Sequence, residues 1–360
     1  MALKQILTLQ LLPKSHSYTS LSISPNGKYL ALTTALQSIT IYRISNNTNI
    51  TSLIPHSKLY TDHLEGINKI IWSPDSQCIA SASDDCTIEI THIKYGKLQT
   101  LIGHTAPVIT IKYSYKGNLL FSGSMDESIK IWNVSASGIY SGSTFTNSSS
   151  LLTAPMKTIS AHSDPVVVLD MPSKDSSILA SGSFDGLIRI FDTQTGNCLK
   201  TLTYDKDWAK EGGLPIINLQ FSYNGKYLLV KSMDGVLKLW DYVSGQVLRT
   251  FTCTASPDSS NDIDMTKNAA KVVSNESSLN GKHCTGISFL YETNNNNKVI
   301  IIDGDDFGDL KSWDVQTQTL LDNIKSANRS YDNCIIDLAC HKNMVFSLSL
   351  NGLLSVWKWL

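Results

Sequence analysis

The sequence lacks the features of several common kinds of protein. Thirty Lys and Arg stand against 31 Asp and Glu, so the formal net charge is −1, and no basic excess predicts binding to a nucleic-acid backbone. No apolar run approaches the roughly 20 residues of a membrane helix. The start, MALKQILTLQLLPK, is apolar over too short a stretch and lacks the basic leader of a signal peptide. These absences predict a protein of the cytosol or nucleus that binds neither nucleic acid nor membrane.

Cysteine, aromatic and motif content exclude further classes of site. The seven cysteines are odd in number and form no C-x-x-C pair, so we expect neither a disulfide framework nor a zinc site. Aromatic residues make up only 8% of the chain, which argues against base stacking. The sequence contains no G-x-S-x-G, H-E-x-x-H or P-loop motif, and its histidines do not cluster at ligand spacing. We therefore expect no metal and no cofactor.

One short alternating strand recurs seven times along the chain. The anchor residues near the ends of the copies lie 49, 41, 59, 49, 73 and 44 positions apart. The shortest spacings match the roughly 40–45-residue period of a four-stranded propeller blade, and the others are that period plus insertions. We therefore predict an all-β fold, a single seven-bladed β-propeller over residues 1–360. The copies are ITIYRI (39–44), IEITHI (88–93), IKIWNV (129–134), IRIFDT (188–193), LKLWDY (237–242), LKSWDV (310–315) and LSVWKW (354–359).

Two insertions and the two chain ends depart from this period. Residues 136–155 and 254–282 are rich in small polar residues and poor in large apolar ones, which predicts solvated loops. The last copy reaches Leu360 after its third strand, whereas LKQILTLQL (3–11) is a spare strand before the first copy. We expect this N-terminal strand to complete the last blade and so to remove an open sheet edge.

Polar residues of the third repeat predict a buried hydrogen-bond network. The carboxylate of Asp126 can accept hydrogen bonds from turn amides and from the imidazole of His104. The imidazole and a hydroxyl, from either Ser122 or Ser124, can then extend the chain of hydrogen bonds to the indole of Trp132. No buried donor is left unpaired in this arrangement.

Other repeats keep parts of the same pattern. The His-to-Asp gap of 22 residues in the third repeat recurs between His63 and Asp85, and a gap of 23 separates His162 from Asp185. The fifth repeat keeps Asp234 and Trp240 but lacks the histidine. A hydrolase triad would be needed only once, so the recurrence of His, Ser and Asp favours a structural role over catalysis.

Longer stretches of the chain resemble a known family. They are HTAPVITIKYSYKGNLLFSGSMDESIKIW, AHSDPVVVLDMP with SGSFDGLIRIFDTQTGNCLKTLTYDKDW, and FSYNGKYLLVKSMDGVLKLWDY. They resemble the WD-repeat subunits of COMPASS, the fungal complex that methylates a histone-tail lysine. The similarity covers residues 1–252 nearly without gaps, is weaker over 283–360, and includes non-repeat residues such as Trp208.

The resemblance implies two binding surfaces. One is a groove between the fifth and sixth blades that receives the tail of a second propeller subunit, with matching positions Asn224, Tyr227, Leu239 and Gln316. Asn224-Gly225 is also a common hairpin-turn pair, and SPNGKYL (24–30) repeats its letters, so a structural role is the alternative for Asn224 and Tyr227. Agreement at all four positions favours partner binding.

The second implied surface is the channel mouth, where family members hold a partner's arginine between two Phe rings. The matching positions are Ile109 and Gly286, the latter beside Cys284 in KHCTG. Because both rings are absent, ordinary strand packing at Ile109 and a loop glycine at Gly286 are the preferred interpretations.

The resemblance implies a non-enzymatic scaffold in the nucleus. Its expected partners are a second propeller subunit and the catalytic methyltransferase subunit, with a histone tail at the channel as a further candidate. Two alternatives remain open: a WD-repeat adaptor of another assembly, such as a ubiquitin ligase, and a propeller enzyme with a site at the channel. Co-purifying proteins would distinguish the scaffold classes, and converging carboxylates or metal ligands would favour the enzyme.

Overall fold

The computed structural model describes residues 2–11, 17–47, 50–134, 151–203, 214–252, 285–291, 298–326 and 330–360. Regular structure in these ranges is β-strand, apart from one turn of 3-10 helix at Tyr331–Asn333. Within the same ranges, no helix is long and apolar enough to cross a membrane.

The strands are short, and several are buried along their whole length, because both faces of a sheet are covered by its neighbours. The first half of the chain contributes β1 (Leu3–Gln10), β2 (Tyr18–Ile23), β3 (Tyr29–Thr34), β4 (Ser38–Asn47), β5 (Ile50–Tyr60), β6 (Ile67–Trp72), β7 (Cys78–Ser83), β8 (Thr87–His92), β9 (Gly96–Ile102), β10 (Val108–Tyr113), β11 (Leu119–Ser124), β12 (Ser128–Asn133), β13 (Leu151–Thr153) and β14 (Lys157–Ser160).

The second half repeats the same arrangement of four strands per unit. It contributes β15 (Val166–Asp170), β16 (Ile178–Ser183), β17 (Leu187–Asp192), β18 (Cys198–Thr203), β19 (Ile216–Phe221), β20 (Leu228–Ser232), β21 (Leu237–Asp241), β22 (Gln246–Phe251), β23 (Ile287–Tyr291), β24 (Val299–Gly304), β25 (Leu310–Asp314), β26 (Leu320–Ile324), β27 (Ile335–His341), β28 (Met344–Ser349) and β29 (Leu353–Trp359).

These strands form seven sheets, numbered here as blades 1 to 7 from β2–β5 onward. The innermost strands are β2, β6, β10, β15, β19, β23 and β27. Each contacts the next around the ring, and β27 contacts β2 again. The chain is therefore a closed, seven-bladed β-propeller, which confirms the fold predicted from the repeats.

The N-terminal strand closes the ring as predicted. β1 pairs antiparallel with β29, from Leu3 opposite Trp359 to Gln10 opposite Leu353, and so becomes the outer strand of blade 7. The long β4–β5 hairpin of blade 1 reinforces the closure, because Ile44 belongs to the apolar cluster that blade 1 shares with blade 7.

The core is divided among the junctions between blades. Seven apolar clusters each combine residues of two neighbouring blades. Successive residues of one strand therefore face opposite neighbours: Leu239 packs toward blade 6, whereas Trp240 packs toward blade 4. A propeller of this size thus needs no single large core.

One part of a predicted loop is a strand. Residues 151–153, placed by composition in the solvated insertion 136–155, form β13, which pairs in parallel with β9 of blade 2. Leu151 lies opposite Gln99 and Thr153 opposite Leu101, so blade 2 has five strands. The loop prediction is wrong here because a backbone of only three residues can pair with a sheet edge whatever the average composition around it. Residues 135–150 and 253–284 lie outside the described ranges.

Candidate partner-binding surfaces

The ring presents two faces, which carry different polar residues. Because strands alternate in direction, the first hairpin of each blade lies on the same face as the third hairpins of blades 1 to 6, here called the hairpin face. The second hairpins and the connections between blades lie on the other, here called the histidine face because His63, His104 and His162 are located there.

The network of blade 3 is complete. Nδ1 of His104 lies 2.7 Å from Oδ2 of Asp126, and Nε2 lies 2.7 Å from Oγ of Ser122. Nε1 of Trp132 donates to the same Ser122 hydroxyl over 2.8 Å. Ser122 is thus the serine of the network, whereas Ser124 donates to the carbonyl of Ala106.

Electrostatics within the network favour a charged aspartate and a neutral histidine. Burial alone would raise the pKa of Asp126, but hydrogen bonds from His104 and Ser128 lower it well below its usual range. Burial lowers the pKa of His104, and this effect outweighs the hydrogen bond and the charge of Asp126, which raise it. With Nδ1–H donating to the carboxylate, Nε2 accepts from Ser122, which in turn accepts from the indole.

Blades 2 and 4 repeat the histidine, serine and aspartate of this network. His63 lies 3.0 Å from Asp85, and His162 lies 2.9 Å from Asp185. Each ring also contacts a serine hydroxyl on its other side, at 2.9 Å in blade 2 and 2.7 Å in blade 4. The histidine, serine and aspartate contacts thus recur in three consecutive blades.

Blade 5 keeps only the aspartate and the tryptophan of the network, Asp234 and Trp240. Asp234 accepts from the amide of Val236 over 3.0 Å and caps the second hairpin. The register position of Ser122 is taken by Val230, and the buried indole nitrogen of Trp240 has no hydrogen-bond partner among the described residues. Blade 5 therefore lacks the polar link that ties the third strand of blade 3 to the histidine face.

Two of the predicted groove residues, Asn224 and Tyr227, lie together in the first hairpin of blade 5. Oδ1 of Asn224 accepts from the Ser222 hydroxyl over 2.6 Å and from the amide of Lys226 over 3.1 Å. The amide of Tyr227 donates to Ser222, and its side chain is 37% exposed. Asn224 thus shapes the turn, while both side chains remain accessible on the hairpin face.

The other two predicted groove residues differ in exposure: Gln316 is exposed and Leu239 is buried. Gln316 is exposed in the third hairpin of blade 6, on the same hairpin face. Leu239 is only 3% exposed and belongs to the apolar cluster between blades 5 and 6, which also contains Phe251 and Trp313. Its assignment as a partner-contacting residue is therefore corrected: Leu239 is a core residue, because its strand position points into the blade junction.

The channel mouth has no aromatic clamp at the predicted positions. Ile109 is partly buried at the bulge where β10 begins. Gly286 is buried against blade 7, where an added Cβ would lie 2.5 Å from the amide nitrogen of Leu338 and 2.8 Å from the carbonyl carbon of Asp337. A side chain is thus excluded at Gly286 by close backbone approach. Cys284 lies outside the described residues.

Ion pairs on the inner strands connect blades, and the sequence reading missed them. Nζ of Lys69 lies 2.8 Å from Asp337, whose carboxylate also accepts from the amide of Leu21 over 2.9 Å. Nζ of Lys112 lies 2.5 Å from Asp170, which accepts from the amide of Phe221 over 2.6 Å. The repeat pattern of the sequence does not reveal these ion pairs, because the two residues of each pair lie in different repeats.

A cleft between the first hairpins of blades 4 and 5 was also missed. It has a volume of about 330 Å³, and Asn224 lines it together with Pro172, Lys174, Tyr223 and Tyr242. The sequence signal was the turn SYNGKY, in which a tyrosine replaces the proline of the matching SPNGKY turn in blade 1. Asn224 therefore faces a space shared with blade 4.

The described residues contain no group of three or more His, Cys, Asp or Glu side chains arranged to hold a metal ion. The closest approach to a catalytic arrangement is the His–Asp–Ser network. There the serine hydroxyl of blade 3 is fully buried between the imidazole and the indole.

Comparisons with known proteins agree with the architecture. The family description "WD domain, G-beta repeat" matches residues 54–91, 96–133, 153–192 and 196–241. The COMPASS component SWD3 of Saccharomyces cerevisiae is 44% identical over 342 residues, which covers 95% of each chain. The nuclear distribution protein PAC1 of Arthroderma benhamiae is 32% identical over 182 residues, covering 50% of this chain and 36% of that protein. The mitochondrial division protein 1 of S. cerevisiae is 31% identical over 186 residues, covering 46% and 26%.

Proposed function

This chain belongs to the family of WD-repeat proteins that includes the COMPASS component SWD3, and we propose that it is a scaffold subunit of a COMPASS-type complex. The observation that carries the proposal is similarity over the full length: 44% identity extends over 95% of both chains. The other two relatives match about half of this chain, as expected where only the repeat is shared. The identity beyond the repeat letters favours a shared role.

The proposed role is to hold other subunits of a histone-tail lysine methyltransferase without catalysing the transfer. A closed ring whose seven junctions are each packed by apolar residues supports this role, because a rigid platform offers several separate surfaces to partners. The proposed partners are a second propeller subunit and the catalytic methyltransferase subunit, and the proposed compartment is the nucleus. We further propose that residues 1–360 form one propeller, with loops over most of 136–155 and 254–282.

The second propeller subunit is proposed to dock on the hairpin face between blades 5 and 6. Asn224, Tyr227 and Gln316 are exposed on this face. Leu239 has no direct part in docking and acts through the packing of the blade. An arginine clamp at the channel is not proposed, because Gly286 leaves no room for a ring.

Affinity purification of the tagged chain from its own cells tests the assignment. We expect a methyltransferase subunit and a second propeller protein to co-purify in stoichiometric amounts. Recovery with ubiquitin-ligase subunits and no methyltransferase would instead identify the chain as an adaptor of another assembly.

Reconstitution tests the absence of catalysis. The purified chain alone, mixed with S-adenosylmethionine and a histone-tail peptide, is expected to transfer no methyl group. Added to the methyltransferase and second propeller subunits, it is expected to raise their methylation rate. Methyl transfer by the chain alone would contradict the scaffold role.

A further inference from the structure

The third hairpin of blade 2 is held by a histidine at a position where three other blades have an aspartate. Nδ1 of His92 accepts hydrogen bonds from the amide of Lys94 over 3.0 Å and from the amide of Tyr95 over 3.2 Å. His92 is the last residue of β8, lies opposite Cys78 of β7, and is only 1% exposed. A buried imidazole thus caps a turn on the hairpin face by accepting two backbone N–H groups.

The matching turns of blades 4, 5 and 6 show which residue type the histidine replaces. Asp192, Asp241 and Asp314 each accept from the amides two and three residues farther along the chain. The distances at Asp241, 3.0 and 3.2 Å, equal those at His92. Three of the turns also have a glycine with positive φ four residues after the acceptor: Gly96 in blade 2, Gly196 in blade 4 and Gly245 in blade 5. The turns of these three blades therefore share their hydrogen bonds and their glycine, and differ in the acceptor.

The contacts of the two ring nitrogens define the protonation state of His92. Because Nδ1 accepts from two N–H groups, it carries no proton of its own. Nε2 lies 3.3 Å from Oε1 of Gln77, an oxygen that can only accept, so Nε2 carries the proton and donates it. A second proton on Nδ1 would direct an N–H group at two other N–H groups. The cap therefore exists only while the imidazole is neutral.

The surroundings of the imidazole oppose its protonation while the turn is closed. Burial is the largest effect and lowers the pKa of His92 below its usual range. Two charged groups act from different hairpins of blade 2: Asp75, in the first, favours the protonated ring, and Lys94, in the third, disfavours it. Tyr95 packs its ring against the imidazole at 4.5 Å. Because the closed turn resists the proton, the proton stabilises the state in which the turn has opened.

We propose that the third hairpin of blade 2 is a proton-sensitive switch, in which protonation of His92 releases the amides of Lys94 and Tyr95 and opens the turn. The aspartate caps of blades 4 and 5 do not respond near neutral pH, because hydrogen bonds from the turn amides hold the pKa of Asp192 and of Asp241 below a range that is already acidic. Acidification therefore opens one hairpin and leaves those two capped. The switch changes an accessible surface, since the side chains of Lys94 and Tyr95 are exposed on the hairpin face.

Amide hydrogen exchange of the full chain, measured by NMR at about pH 7.5 and about pH 5.5, tests the switch. Protection factors are compared, which removes the intrinsic dependence of exchange on pH. An open turn whose histidine has the usual pKa of about 6.5 gains about tenfold in population, relative to the closed turn, at about pH 5.5. We therefore expect the protection of the Lys94 and Tyr95 amides to fall about tenfold at the lower pH. The amides of Val243 and Ser244, capped by Asp241, are the control within the same molecule and should keep their protection.

The variant His92→Asp supplies the second arm, because it introduces the acceptor that the other blades use. It is expected to fold, as its melting temperature and circular dichroism will show, since the same turn carries an aspartate in blades 4 and 5. Its Lys94 and Tyr95 amides should be equally protected at both pH values. A nitrogen NMR spectrum of the unaltered chain provides a further measurement: Nε2 of His92 should carry the proton at about pH 7.5, and Nδ1 should gain one over the pH range in which protection falls.

Several results would overturn the switch. Protection of the Lys94 and Tyr95 amides that does not change with pH is one, and a proton on Nδ1 of His92 at about pH 7.5 is another. The same pH dependence in His92→Asp would show that a different group opens the turn. An equal loss of protection at Val243 and Ser244 would mean that acid loosens the ring as a whole rather than this hairpin. The scaffold function does not depend on these outcomes, because purification of the complex tests it separately.

Discussion

Leu3 lies directly opposite Trp359 in the antiparallel pair between β1 and β29, so the two ends of the described chain share one blade. Leu3 is buried in the cluster between blades 6 and 7, and its amide also donates to the carboxylate of Asp322 in blade 6 over 2.9 Å. The first strand therefore ties blade 7 to blade 6 as well as closing the ring.

Removal of residues 1–12 is expected to destabilise the whole propeller, because it exposes the edge of β29 and opens the core around Leu3. The single change Leu3→Ala should lower the free energy of unfolding by about 2–5 kcal/mol. Lys4→Ala, at an exposed position of the same strand, is the control and should change little. Equal melting temperatures for the truncated and full chains would contradict the closure argument.

Asp126→Ala is expected to be among the most damaging polar substitutions in blade 3. It leaves the imidazole of His104 and the amide of Ser128 without their acceptor, at about 1–3 kcal/mol for each buried unsatisfied group. Asp164→Ala, at an exposed aspartate, is the control. Urea unfolding of the two variants measures the difference, and equal midpoints would refute the network's contribution.

Stability is expected to fall as the pH is lowered below about 6.5. Burial lowers the pKa of His92, His104 and His341 in the folded chain. Each of these groups therefore stabilises the fold fully above the pKa of the unfolded chain. That stability is lost as the pH falls, because the unfolded chain binds the proton first. The aspartate of the network follows at lower pH, since the pKa of Asp126 is also lowered.

Urea midpoints measured at about pH 7.5 and about pH 5.5 provide the test, since histidines titrate in this range. The midpoint at the lower pH should be smaller. A His104→Gln variant should show a weaker pH dependence than the unaltered chain, whatever its absolute stability. If the difference between the two midpoints is the same in His104→Gln as in the unaltered chain, a group other than His104 controls the pH dependence of stability.

The ring and its closure were predictable because they follow from pattern. Alternating strands with anchors such as Trp132 recur at nearly constant spacing, and the spare strand around Leu3 has one open edge to fill. The strand at 151–153 was not predictable, because pairing with the edge of β9 needs only backbone. The cleft beside Asn224 lies between two blades, and spacing along one repeat carries no information about the space between blades.

Variants at Gly286 and Ile109 test why the channel lacks an aromatic clamp at these positions. Gly286→Ala is expected to destabilise the junction between blades 6 and 7, because the added methyl group meets the backbone at Leu338. Ile109→Phe should be tolerated, since Ile109 is only partly buried. Thermal melts compare the two. A stable Gly286→Ala variant would mean that the backbones of the two blades can separate at low cost.

Variants at Leu239 and Tyr227 distinguish the packing of blade 5 from the docking of a partner on it. Leu239→Lys places a charge in the apolar cluster beside Phe251 and Trp313. Since an unpaired buried charge is costly, the variant is expected to unfold blade 5 and to lose binding only for that reason. Tyr227→Ala removes a side chain that is 37% exposed, so it should keep its melting temperature. Binding by the folded Tyr227→Ala variant then reports docking alone. Weakened binding to the second propeller subunit supports contact at this hairpin. Unchanged binding shows that Tyr227 is not part of the docking surface. A Leu239→Lys variant that melts normally would return Leu239 to the surface and contradict its place in the core.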